Sequence, residues 1–187
     1  QANIDYHTEL LASYDEKQPH YLPENQARVE EIIADLAAKT GGNSLLDLGC
    51  GTGFIINIAK KYFKRVVGVD ITQSMLDRVD ISSGNVELYL ARTESLPFLE
   101  TSTFDVCTGY SFLHHLFDLE PTLREAYRCL RPEGYFYSDQ DPNLYYWQLM
   151  HSLKGDSSLV GFVEREYRSV VEIEEEFNED GVKLDPE

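Results

Sequence analysis

Leu45-Leu46-Asp47-Leu48-Gly49-Cys50-Gly51-Thr52-Gly53-Phe54 is the stretch that decides how the rest of the chain is read. Ser44 to Leu48 is a short apolar run of the kind that forms a buried strand. Phe54 to Tyr62, with Ile55, Ile58 and Ala59 on one side, fits a helix. Three alternate glycines stand between the two. Glycine lets the backbone turn sharply and approach a ligand with no Cβ in the way. The helix start presents N–H groups without intrahelical partners to polar ligand atoms. A dinucleotide-binding loop, G-x-G-x-x-G, would need glycine at 54, where Phe54 stands. The spacing G-x-G-x-G, with Asp47 two positions before the first glycine, fits a ligand that lacks a pyrophosphate.

Upstream, Val29, Ile32, Ile33, Leu36 and Ala37 recur at helical spacing, and Thr40-Gly41-Gly42-Asn43 ends that helix. Downstream, Val66 to Val69 is a second strand closed by Asp70, followed by a short helix over Ser74 to Val79. Val86 to Leu90 is a third strand and Phe104 to Gly109 a fourth. Glu120 to Leu130 is a helix, Arg131 to Gly134 a turn, and Tyr135 to Ser138 a fifth strand. Alternating strand and helix predict an α/β three-layer sandwich: a mostly parallel, Rossmann-like sheet with helices on both faces. In such sheets ligands sit beyond the carboxyl ends of the strands, where the strand order reverses. The expected organisation is an N-terminal lid with the first helices over 1–40, a ligand-binding core over 41–143, and a helical C-terminal segment over 144–187. Leu144 to Leu153 is expected to be helical, whereas Val170 to Phe177 fits a helix or one strand of a hairpin.

Several segments in order resemble the class I S-adenosylmethionine-dependent methyltransferases over about residues 24 to 143. The glycine loop resembles that family's motif I. Asp70 stands where the family has the carboxylate that holds both ribose hydroxyls. Ala91-Arg92-Thr93-Glu94-Ser95-Leu96-Pro97-Phe98 resembles the adenine-side loop. Phe104-Asp105-Val106 through Ser111-Phe112-Leu113-His114-His115-Leu116 resembles the fourth-strand motif, and Leu130 to Tyr135 the turn into strand five. The resemblance implies methyl transfer from S-adenosylmethionine to a small-molecule acceptor, with S-adenosylhomocysteine as product. The residues it places around the cofactor are Asp47, Gly49, Cys50, Gly51, Gly53, Asp70, Ile71, Arg92, Thr93, Glu94 and Tyr110. Asp47 either organises the loop and the aminoacyl part of the cofactor or caps backbone N–H groups. His114 and His115 are the candidates for a general base. Adjacent residues point different ways, so one at most faces the site, and helix capping or packing is the alternative for both. Their spacing is not that of a metal pair on a helix, and no metal is expected.

Two features depart from the family pattern. Arg92 stands where the family commonly has an Asp that accepts from the adenine amino group, and arginine has donors only. Backbone atoms or Glu94 are then left to accept, and Arg92 either faces an anion or is a solvated residue at a loop edge. Second, only 49 residues follow Ser138, with no clear pair of apolar strands, so the family's last strands are unaccounted for. Tyr6, Tyr14 and Asp15 fall in the lid. Asp139, Asp141, Asn143, Tyr145, Tyr146 and Trp147 follow strand five, as packing residues or as partners for a cation.

Charge and composition limit the partners. With 33 acidic against 16 basic residues, the net charge of −17 repels phosphate backbones and anionic membranes. Asp141-Pro142-Asn143 is not the Asn/Asp-Pro-Pro-Tyr motif of nucleic-acid amino methyltransferases. No apolar run reaches the roughly 18 to 20 residues of a membrane helix. Gln1 to Leu11, which mixes Asp5, His7 and Glu9 with apolar residues, does not read as a signal peptide, and the absence of Met at position 1 points to trimmed ends. Cys50, Cys107 and Cys129 are odd in number and widely spaced, as in a reduced cytoplasmic protein. The expected partner is thus a small molecule and neither nucleic acid nor membrane, in a monomer or homodimer. A non-catalytic S-adenosylmethionine- or S-adenosylhomocysteine-binding domain is the rival reading. A nicotinamide-dependent dehydrogenase is a weaker third, opposed by Phe54 and by the lack of a recognisable Tyr-Lys pair.

Overall fold

The computed structural model describes residues 21–141 and 144–153. They belong to two units that part between Asp141 and Pro142, and each is described by itself. In the first, strands β1 (Ser44–Leu48), β2 (Arg65–Asp70), β3 (Val86–Leu90), β4 (Phe104–Tyr110) and β5 (Leu130–Asp139) form one sheet in the order β3-β2-β1-β4-β5. Every pairing is parallel. Helices α1 (Pro23–Thr40), α2 (Phe54–Ala59), α3 (Gln73–Leu76) and α4 (Leu119–Cys129) precede or connect the strands. The α/β sandwich that the alternation predicts is therefore present. The strand order reverses between β1 and β4, which opens a crevice at their carboxyl ends.

The two-residue period of the strands divides the core into two layers. Leu45, Val66 and Val106 face Val29, Ile33 and Leu36 of α1, Ile55 and Ile58 of α2, and Leu76 of α3. Leu46, Val67 and Cys107 face the other way, against Ala126 and Cys129 of α4 and against Leu96 and Leu99. Each fully buried Leu, Ile or Val contributes about 1.5–3 kcal/mol of apolar transfer. Gly68 sets how closely α2 lies on the sheet. A Cβ there would come within 2.6 Å of Ile56 Cδ1 and 2.9 Å of Cys50 Sγ.

Where element boundaries differ from those expected, local hydrogen bonding explains it. The α2 helix stops at Ala59, short of Tyr62. Asn85 Nδ2 donates to the Lys60 and Phe63 carbonyls, which pulls the chain out of the helix there. Phe104 pairs with Leu130 but Val106 with Tyr135, so residues 131–134, expected as a turn before the strand, are instead an irregularity within β5, which begins at Leu130. The buried Asp105 fixes that corner by accepting from Asn43 N and Ser44 N of the segment leading into β1, and from Arg131 Nη1.

In the second unit, α5 (Leu144–Ser152) forms where a helix is expected. The lid residues Tyr6, Tyr14 and Asp15, and the helix-or-strand alternative over 170–177, lie outside the described residues, as does Asn143. All three cysteines are buried free thiols. Among the described residues no helix is long and apolar enough to cross a membrane, and no group of acidic, His or Cys side chains is placed to hold a metal.

Candidate cofactor-binding site

The glycine loop is clamped to the end of β2. Gly49 N and Cys50 N both donate to the Val69 carbonyl, at 2.8 and 3.0 Å. Gly49 and Gly51 have φ of +66° and +52°, a region open to glycine at little cost. Gly51 N donates to Asp70 Oδ2 at 2.9 Å, and Thr72 N to Asp70 Oδ1 at 2.8 Å. Each carboxylate oxygen thus takes one backbone donor and retains acceptor capacity.

Gly49 lines two cavities. The larger, about 510 Å³, is lined by Asp70, Ile71, Arg92, Thr93 and Glu94 from the ends of β2 and β3, and by Phe112, His115, Phe117 and Pro121 from the segment after β4. The smaller, about 40 Å³, is lined by Asp47, Cys50, Gly51 and Thr52 together with Tyr21, Phe54, Tyr110 and Ser111. Gly53 lines neither: a Cβ on it would come within 3.0 Å of Val79 Cγ1, so its lack of a side chain serves packing. The Cys50 side chain likewise belongs to the core, where burial pushes its thiol well above the ordinary range.

The two carboxylates differ in environment. Asp47, 2% exposed, accepts from the Thr108 hydroxyl at 2.7 Å, a side-chain partner rather than the backbone N–H groups of the capping alternative. Burial pushes its carboxyl up to about 7. The Thr108 hydrogen bond pulls the other way, and the nearby Asp70 charge adds to the rise. The small cavity is walled by aromatic rings. Tyr21 meets Phe54 edge-on at 5.3 Å, Phe54 lies 4.9 Å from Tyr110, and the Tyr21 hydroxyl bonds Thr52 Oγ1 at 2.8 Å. Burial pushes the Tyr110 phenol up to about 12.

On the larger side, Arg92 is largely exposed and donates to Glu94 Oε1 at 2.6 Å, as a solvated residue at the loop edge would. Thr93 is buried and bonds the Thr122 hydroxyl of α4 at 3.1 Å. Leu96 N donates to Glu125 Oε2 and Arg128 Nη2 to the Leu96 carbonyl, so the loop after β3 is held by α4. The two histidines diverge. His114 N and Nδ1 both bond Asp141 Oδ1, at 3.2 and 2.8 Å, whereas His115 lines the larger cavity; their rings lie 4.1 Å apart.

Sequence reasoning missed Tyr21, Phe117 and Pro121, and it named Ser111 and Phe112 only within the fourth-strand motif, with no place at the site. Ser111 adopts φ +49° directly after β4, a strained conformation that no residue type announces. Phe112 sits so close to Gly49 that a Cβ on the glycine would be 2.0 Å from Phe112 Cδ2. A clash with an absent atom leaves no trace in a sequence.

A glycine loop between two acidic strand ends, on a sheet of this order, is the architecture against which known proteins can be compared. Residues 46–138 match a family model described as a methyltransferase domain. This segment belongs to the class I methyltransferase-domain family. Over 121 residues the chain is 32% identical to 27-O-demethylrifamycin SV methyltransferase of Amycolatopsis mediterranei (strain S699), with 60% of this chain and 44% of that protein covered. Over 133 residues it is 31% identical to the mitochondrial arginine-hydroxylase NDUFAF5 of Danio rerio, with 71% and 40% covered. Among solved structures, the PH0226 protein from Pyrococcus horikoshii OT3 is 27% identical with a TM-score of 0.56, covering 76% of this chain and 68% of that one. The chain spans less than half the length of the curated relatives it matches. The methyltransferase domain begins inside β1 and ends inside β5, so it contains both acidic strand ends and the glycine loop.

Proposed function

We propose that this domain binds S-adenosylmethionine and transfers its methyl group to a small-molecule acceptor, leaving S-adenosylhomocysteine. The observation that carries the reading is that Gly49 lines both a large cavity edged by Asp70 and a small one edged by Asp47 and three aromatic rings. The donor set fits such a cofactor. The spare acceptor capacity of Asp70 suits a ribose diol, and nothing lies within 4 Å of where a Cβ on Gly51 would project. Ile71, Thr93 and Glu94 line the same cavity and suit the adenine end, with Glu94 the acceptor side chain within reach. Asp47 suits the ammonium end, and the faces of Tyr21, Phe54 and Tyr110 suit a cationic neighbour.

When bound, the cofactor supplies a methyl group on a positively charged sulfur, open to in-line displacement. The chain's own contribution is alignment, which alone supplies several kcal/mol. A base is needed only where the acceptor must lose a proton. The position of His115 in the lining of the cavity that Asp70 edges supports a contact with the cofactor rather than with an acceptor. His114, held by Asp141 after β5, is the better candidate for the acceptor side. The acidic surface supports an acceptor that is neither nucleic acid nor membrane-bound. Three buried free thiols suit a reducing, cytoplasmic setting.

Calorimetric titration with S-adenosylmethionine and S-adenosylhomocysteine, with NADH as control, tests the reading. Micromolar binding of the sulfur ligands alone supports it; binding of NADH alone, or of nothing by folded protein, rejects it. A second reading is favoured by the hydroxylase relative, whose named reaction is not methyl transfer. Under it the domain binds the same cofactor without transferring methyl. Transfer of labelled methyl to any member of a metabolite panel would decide for the enzyme.

A further inference from the structure

Phe112 lies against Gly49, the residue that both cavities share. It follows Ser111, which lines the small cavity, but itself lines the large one. Gly49 lines both, and the Phe112 ring covers the side of Gly49 from which a Cβ would project. At about 40 Å³ the small cavity has room for about three water molecules and not for an aminoacyl arm. The large cavity, at about 510 Å³, accepts an adenosine with the ring in place.

We propose that Phe112 is the residue that sets selectivity between ligands by length: its ring closes the passage at Gly49, so a nucleoside enters freely and a nucleoside bearing an aminoacyl arm binds only when the ring is displaced. The proposal rests on the cofactor reading above. Displacement acts as a pre-equilibrium, and it weakens the apparent affinity of long ligands by the fraction of molecules that are open. Adenosine needs no passage into the small cavity, so this pre-equilibrium does not enter its affinity. Backbone strain at Ser111 is suited to such a movement, because it places a conformationally costly residue at the base of the ring.

The test compares adenosine with S-adenosylhomocysteine by calorimetry and stopped-flow mixing, on the wild-type chain and on Phe112→Ala and the milder Phe112→Leu, each checked for folding by circular dichroism. In the wild type, the observed association rate of S-adenosylhomocysteine levels off at high ligand concentration while that of adenosine rises linearly. In Phe112→Ala the plateau disappears and the affinity for S-adenosylhomocysteine relative to adenosine rises about 3–10-fold, over any loss common to both ligands from the missing cavity wall, with Phe112→Leu intermediate. If both ligands shift by the same factor, or the long ligand alone weakens, Phe112 is a wall and not a gate, and the proposal fails. If adenosine and S-adenosylhomocysteine both fail to bind the wild type, the cofactor reading fails and the gate with it.

Discussion

The two ends of the site are built by opposite means. The end at Asp70 is open in that it has room for a ligand: Asp70 has a backbone donor on each oxygen, Arg92 and Glu94 pair at the rim, and α4 braces the loop from behind. The end at Asp47 is closed in that little room remains: Asp47 is buried with one hydroxyl partner, and three aromatic rings line the space that is left. A carboxylate with spare acceptors in a roomy cavity is ready for a ligand. A buried carboxyl whose proton is held to about pH 7 must be opened and charged first. Affinity is therefore expected to come from the open end and discrimination from the closed one.

The largest effect is expected at the glycine the two ends share. Gly49→Ala puts a Cβ into the Phe112 ring at a φ of +66°, whereas Gly51→Ala, at +52°, meets nothing within 4 Å. The first should cost about 2–5 kcal/mol of stability, from left-handed backbone plus overpacking, and the second about 1–2 kcal/mol from backbone alone. Urea unfolding of the two variants measures the difference. Equal losses would mean that Phe112 yields at no cost and does not separate the cavities. Adding Phe112→Ala to Gly49→Ala should restore the overpacking part only.

Next is Asp70→Ala, which should weaken adenosine and S-adenosylhomocysteine alike by about 1–3 kcal/mol, the scale for hydrogen bonds to a charged group. Calorimetry with both ligands reads it. A loss confined to the longer ligand would move Asp70 to the closed end and break the contrast.

Asp47→Asn sharpens the contrast from the other side. Its carboxyl is raised from 3.8 to about 7 in the folded chain, so folded protein keeps a proton that the unfolded chain releases. This group's contribution is full below about pH 4, is lost as pH rises towards 7, and is flat beyond that. The variant should lack that slope in unfolding experiments across pH 4–8 and should be more stable than wild type at pH 8. It should also bind S-adenosylhomocysteine about tenfold more weakly there, about 1.4 kcal/mol, with adenosine unaffected. A wild-type profile flat through this range would show Asp47 to be ionised and hydrated.

How legible the two ends were in the sequence follows the same division. The parallel sheet, the glycine loop and the acids Asp47 and Asp70 beside it were readable because strand periodicity, glycine spacing and strand-end acids are local signals, whereas the 92–94 loop was picked out by the family resemblance alone. The sheet's layers followed from Leu45 and Leu46 pointing to opposite faces. Tyr21 was not readable: it reaches the site from a distant part of the chain, and an aromatic residue there is equally a core residue. Phe112 was legible as part of the fourth-strand motif, but its place against Gly49 was not. The histidine pair was half legible: adjacency implied divergence, but only the fold puts His115 in the cavity and His114 on Asp141.

Arg92 should matter least, although it is the most conspicuous departure from the family pattern. Its guanidinium is largely exposed and its partner, Glu94, is at the same rim. Such a pair contributes little, so Arg92→Ala should change stability by less than about 0.5 kcal/mol. Its effect on binding depends on what Glu94 does when released. If Glu94 is the adenine acceptor, removing its competitor should tighten adenosine and S-adenosylhomocysteine by the same small factor, about twofold to fivefold, as for a surface pair of about 0.5–1 kcal/mol. If Arg92 instead holds an anionic group of the acceptor, cofactor binding stays constant and the loss appears in the KM for that acceptor. A tightening seen only with the longer ligand fits neither role. It would mean that the rim and the closed end communicate through Phe112 and that the two halves of the site are not independent.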